Sequence, residues 1–303
     1  MGKVLLVACT NVGRAMIDAI YSAPELKEVT LAGVVDLNPQ IAVSKANYDP
    51  YTDLKEKYGF PLHYCKNVND PETLEFIRSC DPDLLIQTGW SQKFHEELLD
   101  LPKYGCMGEH PAPLPRGRGA ACMNWAILTG ETDWGDTFFK MEKQYDTGLI
   151  YSQEFFNIEV YDDVKTMYDK VAAAAVTAIR KHLPDWTEGR MEGISQDDSA
   201  STHYPRRRPA DGKFDFSQDA RKIYDQIRAQ TRPYPGAFFM DKTTGKKVTV
   251  WKAALTHTPE DGGREVLCGD GRKLTLLRIQ WEGEPETWAC ECDLLRAYEG
   301  EEK

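Results

Sequence analysis

The sequence predicts an α/β protein, with a Rossmann-like parallel sheet in a first domain and a small OB-like β-barrel near the end of the chain. Short apolar runs alternate with helical periodicity over residues 1–185, which is the pattern of buried parallel strands joined by helices. From Phe238 onward, strand-forming runs are separated by turn signals, which is typical of a small barrel. A chain of 303 residues is long enough for two such domains.

The first domain is predicted over residues 1–185. Its strands are continuous apolar runs, and its helices have one apolar face. The last helix is rich in alanine, which favours helix and allows close packing. The predicted elements are strands at 3–9, 29–37 and 83–90 and helices at 12–23, 72–80 and 164–183.

The amino-acid composition of the chain changes after Pro184. Residues 186–213 are polar and rich in glycine, serine and proline, which predicts a linker or a long crossing loop. Residues 214–303 are predicted to form one helix followed by the barrel. The expected elements are a helix at 219–230 and strands at 237–240, 246–255, 265–269 and 273–281.

Composition narrows the range of functions. The formal net charge of -11 disfavours a general nucleic-acid binder, because phosphates would be repelled on average. The apolar run at 4–8 is too short for a signal peptide or a membrane span, so we expect a cytoplasmic protein without membrane contact. The eight cysteines are scattered, and the close pair Cys290 and Cys292 cannot alone supply four ligands, so no metal site is expected.

The beginning of the chain suggests a dinucleotide-binding unit, with Gly13 after the first strand and Asp36 at the end of the next. That fingerprint needs glycines that let the backbone approach a pyrophosphate. The two earlier glycine positions hold Ala8 and Thr10, whose side chains obstruct such an approach. A structural turn is the better interpretation, and a nicotinamide oxidoreductase is kept as an alternative.

A second candidate is the proline-rich loop that starts at His110. Three prolines within five residues hold the chain extended, and Gly117 and Gly119 permit a sharp reversal into a helix near Ala120. A histidine fixed at the start of such a loop is a candidate hydrogen-bond donor or proton carrier. The alternative is that His110 only satisfies loop carbonyl groups, and the local sequence leaves both interpretations open.

The third candidate is Asp146, in an Asp-Thr-Gly turn that follows an apolar strand. On its own this turn is more simply a capped turn without a chemical role. The pairing of the two motifs, separated by one predicted helix and one predicted strand, favours a joint site.

Together these motifs resemble the folate-dependent formyltransferase family. The resemblance rests on G-C-x-x-x-H-P-x-x-L-P-x-x-R-G-x-A, on N-W-A-I-x-x-G-E, and on D-T-G. It continues through the segment that joins the catalytic domain to the barrel, over residues 1–255 in all. The elements P-A-D-G-K-F-D-F and T-R-P-Y-P-G-A-F are most similar to the branch that modifies amino sugars.

The resemblance implies transfer of a formyl group from 10-formyltetrahydrofolate, as co-substrate, to a primary amine. His110 would donate to the oxyanion that develops on the formyl group, and Asp146 would orient His110 and help remove the amine proton. The resemblance further implies that two segments enclose the flat pterin ring in an apolar slot. Their candidate contact residues are Gln87, Gly89, Trp90, Met141 and Tyr145.

Three departures from the family pattern concern the chemistry. Gly108 stands where the family has an asparagine that donates to the formyl oxygen, Ala112 replaces a serine, and Leu149 replaces an acidic residue. Loss of one such donor costs about 3–4 kcal/mol of transition-state stabilisation if nothing replaces it. Three outcomes remain open: another group fills the space, the frame catalyses other acyl chemistry such as hydrolysis of the formyl donor, or the protein is a degenerate binder.

The expected acceptor is a small molecule with a primary amine, and a nucleotide-linked amino sugar fits the motifs of the joining segment best. Other small amines are alternatives, and the net charge disfavours an initiator tRNA. The basic run at 206–208 could meet a phosphate, but it is equally typical of a solvated loop. A homodimer is left open.

Overall fold

The computed structural model of the chain describes residues 1–42, 45–256, 262–292, 295 and 298. The chain divides into two units. The first contains residues 1–122, 133–157 and 168–204, and the second contains 123–132, 158–167 and the chain from 205 onward.

The first unit is built on a seven-stranded sheet with the order β3-β2-β1-β4-β5-β7-β8, beside a two-stranded pair of β6 and β9. The strands are β1 (Gly2–Ala8), β2 (Val29–Leu37), β3 (Leu62–Cys65), β4 (Leu84–Thr88), β5 (Cys106–His110), β6 (Arg118–Gly119), β7 (Asp133–Lys140), β8 (Ile150–Asn157) and β9 (His203–Tyr204).

Pairing within this sheet is mixed. Strands β1 to β5 run parallel, and β1 is buried from Val4 to Ala8, as expected for a strand covered on both faces. Strand β7 is antiparallel to both β5 and β8, so the sheet is parallel over β1 to β5, as predicted, and antiparallel at this edge. Residues 141–149 join β7 to β8, and so short a connection suits antiparallel neighbours because parallel strands need a crossover of about a dozen residues or more.

The predicted helices are found, with shifts at their ends. Helix α1 buries Met16, Ile17 and Ile20 on one face, which is the periodicity that predicted it. The alanine-rich helix α7 continues three residues past its predicted end at 183, through Pro184. Among the described residues, no helix is long and apolar enough to cross a membrane. The helices are α1 (Asn11–Ser22), α2 (Pro39–Ala42), α3 (Thr52–Tyr58), α4 (Pro71–Cys80), α5 (Glu96–Leu99), α6 (Cys122–Thr129), α7 (Val164–Trp186) and α8 (Ala220–Gln230).

The second unit contains α8 and a five-stranded antiparallel sheet, which confirms the predicted antiparallel β domain. Strand β13 is central, with β11 on one side and both β12 and β14 on the other. Its core includes Phe214, Ile227, Phe239 and Ile279. Cys290 lies in a single 3-10 turn, and Cys292 follows at its end. The strands are β10 (Ala237–Met240), β11 (Lys247–Ala254), β12 (Arg264–Leu267), β13 (Lys273–Trp281) and β14 (Glu286–Trp288).

The segment 187–204, predicted as part of the linker, belongs to the first unit. Ile194 forms a β-bridge with Ile150, and Tyr204 pairs with Gly119 across β6 and β9. These contacts bring the segment to the two loops that carry the candidate catalytic residues. The predicted domain limits at 185 and 213 stay predictions.

Candidate active site

His110 is the last residue of β5, and its side chain is buried. Its Nε2 donates a hydrogen bond to the carbonyl oxygen of Gly117 at 2.8 Å, so Nε2 carries a hydrogen. Gly117 and Gly119 have φ angles of 85° and 98°, which only glycine adopts easily, and they reverse the loop so that Gly117 faces His110. The reversal predicted from the prolines and glycines is therefore present.

Asp146 also has a left-handed backbone, with a φ angle of 57°. Its Oδ2 accepts a hydrogen bond from the backbone N–H of Gly119 at 2.9 Å. The structure thus brings the Asp-Thr-Gly turn against the loop that follows His110, the pairing that the sequence suggested. The role of each residue in catalysis stays a prediction at this point.

The electrostatic environment of His110 favours its charged form. Burial lowers the pKa of the imidazole, but the Cys122 sulfur, the Asp146 carboxylate and the Gly117 carbonyl raise it more, to about 10. The raised pKa favours the imidazolium, whose two ring nitrogens can both donate hydrogen bonds.

Apolar side chains take the space beside Gly108. A Cβ atom at this position would lie 2.7 Å from Cε1 of Phe139 and 3.3 Å from Cγ of Met141. Both groups are apolar, so the place of the family asparagine is taken by atoms that cannot donate a hydrogen bond. One alternative from the sequence was that another hydrogen-bond donor fills the space beside Gly108. The contacts of Phe139 and Met141 do not support that alternative.

The five predicted folate contacts fall on two neighbouring segments. Gln87 Nε2 donates to the carbonyl oxygen of Trp90 at 3.4 Å, and Gly89 has a positive φ of 61°. Trp90 and Met141 pack against the same apolar cluster. Tyr145 is 61% exposed, and the Lys93 ammonium lies 5.6 Å from the centre of its ring. The segments are close together, and their contact with folate stays a prediction.

A buried acid pair that the sequence did not reveal lies next to His110 in the chain. Glu109 and Asp136 are 5% and 1% exposed, and Glu109 accepts a hydrogen bond from the Thr88 hydroxyl. Burial and the neighbouring Glu109 raise the pKa of Asp136 well above its usual range, which favours a protonated Asp136 carboxyl group. The available signal was a pair of acidic residues inside strand segments that are otherwise apolar.

The segment 194–204 also contacts both loops. Thr202 Oγ1 accepts from the Gly117 N–H at 2.8 Å, and the Tyr204 carbonyl accepts from Ala120 N at 3.0 Å. Gln196 bonds to Arg118 and to the backbone at Asp146. Nothing in the polar sequence of this segment predicted these contacts.

The turn that resembled a dinucleotide site is closed by Tyr51. Its hydroxyl accepts from the Thr10 N–H and donates to the Thr10 carbonyl oxygen, both at 2.7 Å. A Cβ atom on Gly13 would lie 2.3 Å from the same hydroxyl oxygen. In dinucleotide-binding proteins the pyrophosphate binds at the N-terminus of the corresponding helix. Here the buried Tyr51 occupies the place that the phosphates would need. The structural interpretation of this turn is supported over nicotinamide binding.

Over the described ranges, no three histidine, cysteine, aspartate or glutamate side chains cluster closely enough to hold a metal ion.

Comparison with known proteins identifies the family. The family described as "Formyl transferase" matches residues 5–183, and "Formyl transferase, C-terminal domain" matches residues 207–290. The chain belongs to the formyltransferase family. The second match extends about thirty-five residues beyond the resemblance found in the sequence. Formyl transfer, predicted from the paired motifs, is confirmed as the class of reaction.

Relatives of this formyltransferase differ in their acceptors. A methionyl-tRNA formyltransferase from Citrifermentans bemidjiense is 33% identical over 241 residues, 77% of this chain and 75% of the relative. An N-formyltransferase from Helicobacter canadensis, solved with folinic acid and dTDP-3-aminofucose, has a TM-score of 0.66 at 16% identity, over 91% of this chain and 99% of that one.

A third similar structure is HypX from Aquifex aeolicus in complex with tetrahydrofolic acid. It has a TM-score of 0.64 at 19% identity and is matched by 98% of this formyltransferase, which spans only 48% of that longer chain. These structural similarities confirm the predicted fold. Cytoplasmic location stays a prediction, and a homodimer stays open.

Proposed function

We propose that this enzyme transfers the formyl group of 10-formyltetrahydrofolate to the primary amine of a nucleotide-linked amino sugar. The single observation that carries the acceptor is the joining segment, whose P-A-D-G-K-F-D-F and T-R-P-Y-P-G-A-F elements are most similar to the sugar-modifying branch. The Helicobacter canadensis N-formyltransferase, which shares the fold, was solved with a nucleotide-linked amino sugar and a folate, and this supports the same choice.

The proposed chemistry uses His110 as the hydrogen-bond donor to the formyl oxygen. The amine attacks the formyl carbon, negative charge grows on the formyl oxygen, and the bond from that carbon to the folate nitrogen breaks as the nitrogen takes up the proton that the amine has lost to Asp146. An imidazolium at His110 has one N–H held by Gly117 and a second that can donate to the growing charge. Asp146 stabilises this cation and accepts the proton that the amine loses.

A second candidate acceptor is an aminoacylated initiator tRNA, because relatives at 33% identity are methionyl-tRNA formyltransferases. The net charge of -11 argues against it. The basic run at 206–208 is also partly engaged, since the Arg207 guanidinium lies 4.9 Å from the Trp125 ring centre and donates to the Asp211 carbonyl. We therefore place the sugar acceptor first.

The test offers both acceptors in parallel. Purified enzyme is incubated with 10-formyltetrahydrofolate and either a panel of nucleotide-linked amino sugars or methionyl initiator tRNA, and products are identified by mass spectrometry. We expect one sugar to become heavier by one formyl group. Formylation of the tRNA and of none of the sugars would contradict the proposed sugar acceptor. Release of tetrahydrofolate at the same rate without any amine would identify a hydrolase instead.

Two variants test the catalytic roles. His110→Ala removes the proposed hydrogen-bond donor to the formyl oxygen. Asp146→Asn keeps an oxygen that can accept from the Gly119 N–H while removing the charge. We expect each variant to lower kcat at least about a hundredfold, the range of a lost acid–base or oxyanion group. His95→Ala, at an exposed histidine before α5, is the matched control. Full activity in both site variants would contradict the mechanism.

A further inference from the structure

We propose that Gln196 is a positioning residue for formyl transfer, because its side-chain amide ties the backbone around Asp146 to Arg118 in the loop that follows His110. The inference rests on the proposed role of Asp146. It concerns a residue that lies fifty positions beyond that aspartate, in a segment with no catalytic motif.

The Gln196 amide has all of its hydrogen-bonding capacity occupied. Its Oε1 accepts from Nε and Nη2 of Arg118 at 3.1 and 2.7 Å. Its Nε2 donates to the carbonyl oxygens of Asp146 and Gly148 at 2.9 and 2.8 Å. A guanidinium can only donate and a backbone carbonyl can only accept, so the reverse orientation of the amide would break all four bonds.

The Arg118 end of this bridge is held in place by further contacts. The Arg118 side chain is 4% exposed, and its Nη2 also pairs with Asp198 Oδ1 at 2.8 Å. The backbone of Arg118 is held as well, since its N–H donates to the Thr202 carbonyl at 2.9 Å. Gln196 is therefore anchored to a rigid group.

The other end of the bridge is the turn at Asp146, whose backbone conformation is uncommon. Residues other than glycine rarely adopt a positive φ, and Asp146 has a φ of 57°. This conformation lets Oδ2 reach the Gly119 N–H at 2.9 Å. Because Gln196 bonds to the carbonyls of both Asp146 and Gly148, it holds the turn that presents the Asp146 carboxylate to Gly119.

Gln196→Glu separates positioning from folding. The glutamate side chain has the same size, and its carboxylate can accept from Arg118 in a stronger, charged pair. It has no N–H to donate to the carbonyls of Asp146 and Gly148. Gln196→Leu removes both sets of bonds at a similar size. Gln40→Glu and Gln40→Leu, at an exposed glutamine in α2, are the matched controls.

For Gln196→Glu we expect kcat near pH 8 to fall about tenfold or more, as for other misplacements of a reacting group, while KM for the formyl donor changes less than about twofold. A general loss of structure would lower stability and disturb donor binding as well, so the split between kcat and KM separates positioning from a purely structural role. Retention of kcat within about twofold in both Gln196 variants, or a KM effect alone, would overturn the proposal.

A second measurement does not depend on the acceptor. Hydrogen–deuterium exchange with mass spectrometry follows the peptide that contains the Gly119 amide. Released from its tether, the Asp146 turn should protect this amide less, so exchange should be faster in Gln196→Glu than in the parent and in Gln40→Glu. Unchanged exchange overturns the inference even if no amino sugar is formylated. Faster exchange in an enzyme that formylates only tRNA supports the inference and rejects the sugar acceptor alone.

Discussion

The Phe139 ring lies directly against the backbone of Gly108, because a Cβ atom at residue 108 would be only 2.7 Å from Cε1 of the ring. Real Cβ contacts are not this short, so the glycine and the ring fit only as a pair. The position that carries an amide donor in the family is occupied here by a phenyl group. In the proposed mechanism, stabilisation of the formyl oxyanion would therefore depend more heavily on His110.

Restoring the family residue with Gly108→Asn should harm the enzyme. The added side chain must displace Phe139, which is 5% exposed, and overpacking of this kind costs about 1–3 kcal/mol. We expect the free energy of unfolding in urea to fall by this amount, with lower kcat as the site distorts. A large gain in activity without loss of stability would show that the space is free.

The double variant Gly108→Asn with Phe139→Val tests the pairing itself. Shortening residue 139 makes room for the asparagine, so the two changes together should destabilise the protein less than the sum of the single changes. The coupling should be about 0.5–3 kcal/mol, as for residues in direct contact. Additive losses would mean that the two residues do not compete for one space.

Because the pKa of His110 is raised, activity and stability should both fall at alkaline pH. With its pKa raised to about 10, kcat should stay level through neutral pH and decline as the pH passes about 10. The raised pKa stabilises the fold fully below the ordinary histidine pKa of 6.5, and this contribution is lost as the pH rises toward about 10.

Urea unfolding at about pH 6 and about pH 9 checks the stability part of this prediction. The stability difference between the parent and His110→Gln should be smaller at the higher pH. The exposed His95→Gln variant is the matched control. An equal difference at both pH values would mean that His110 is not charged in the folded protein.

Asp136→Asn should stabilise the protein at neutral pH. The folded chain keeps a proton on the buried acid pair that the unfolded chain releases near the ordinary aspartate pKa of 3.8. Stability is therefore lost as the pH rises above that value. Asparagine carries no charge and can donate to Glu109, so we expect a gain of about 1–2 kcal/mol in urea unfolding.

The gain from Asp136→Asn should grow between about pH 5 and about pH 8. Asp133→Asn, at the exposed start of the same strand, loses only a surface ion pair with Arg116 and should change stability by less than about 1 kcal/mol. A gain that does not vary with pH would contradict the raised pKa of Asp136.

Tyr51→Phe should destabilise the first unit. It removes the hydroxyl that bonds to both the N–H and the carbonyl of Thr10 in a buried turn, which costs about 1–3 kcal/mol. Tyr48→Phe removes a longer bond of 3.4 Å to the Leu37 carbonyl and should cost less. Equal losses in urea unfolding would show that the turn at Thr10 does not depend on Tyr51.

Periodicity predicted most of the fold because its elements follow local rules. The apolar run of β1 and the one-sided pattern of α1 define a strand and a helix by themselves. The direction of β7 could not be read in this way. It depends on how residues 111–132 lead the chain back beside β5, and not on the residues of the strand.

The site divides along the same line. His110 and Asp146 stand in motifs whose prolines and glycines constrain the local backbone, so their pairing was predictable. The contact of Phe139 with Gly108 and that of Gln196 with Arg118 join residues far apart in the chain. Such contacts follow from strand register and loop packing, which carry no local sequence signal.

The pairing of β6 with β9 has a consequence for synthesis and for truncation. Arg118 and Gly119 meet their partners only at His203 and Tyr204, more than eighty residues later. While the chain emerges from the ribosome, the loop after His110 cannot take its final shape until that late segment has been made. A fragment cut near residue 185 would contain both catalytic motifs and still lack the segment that holds them.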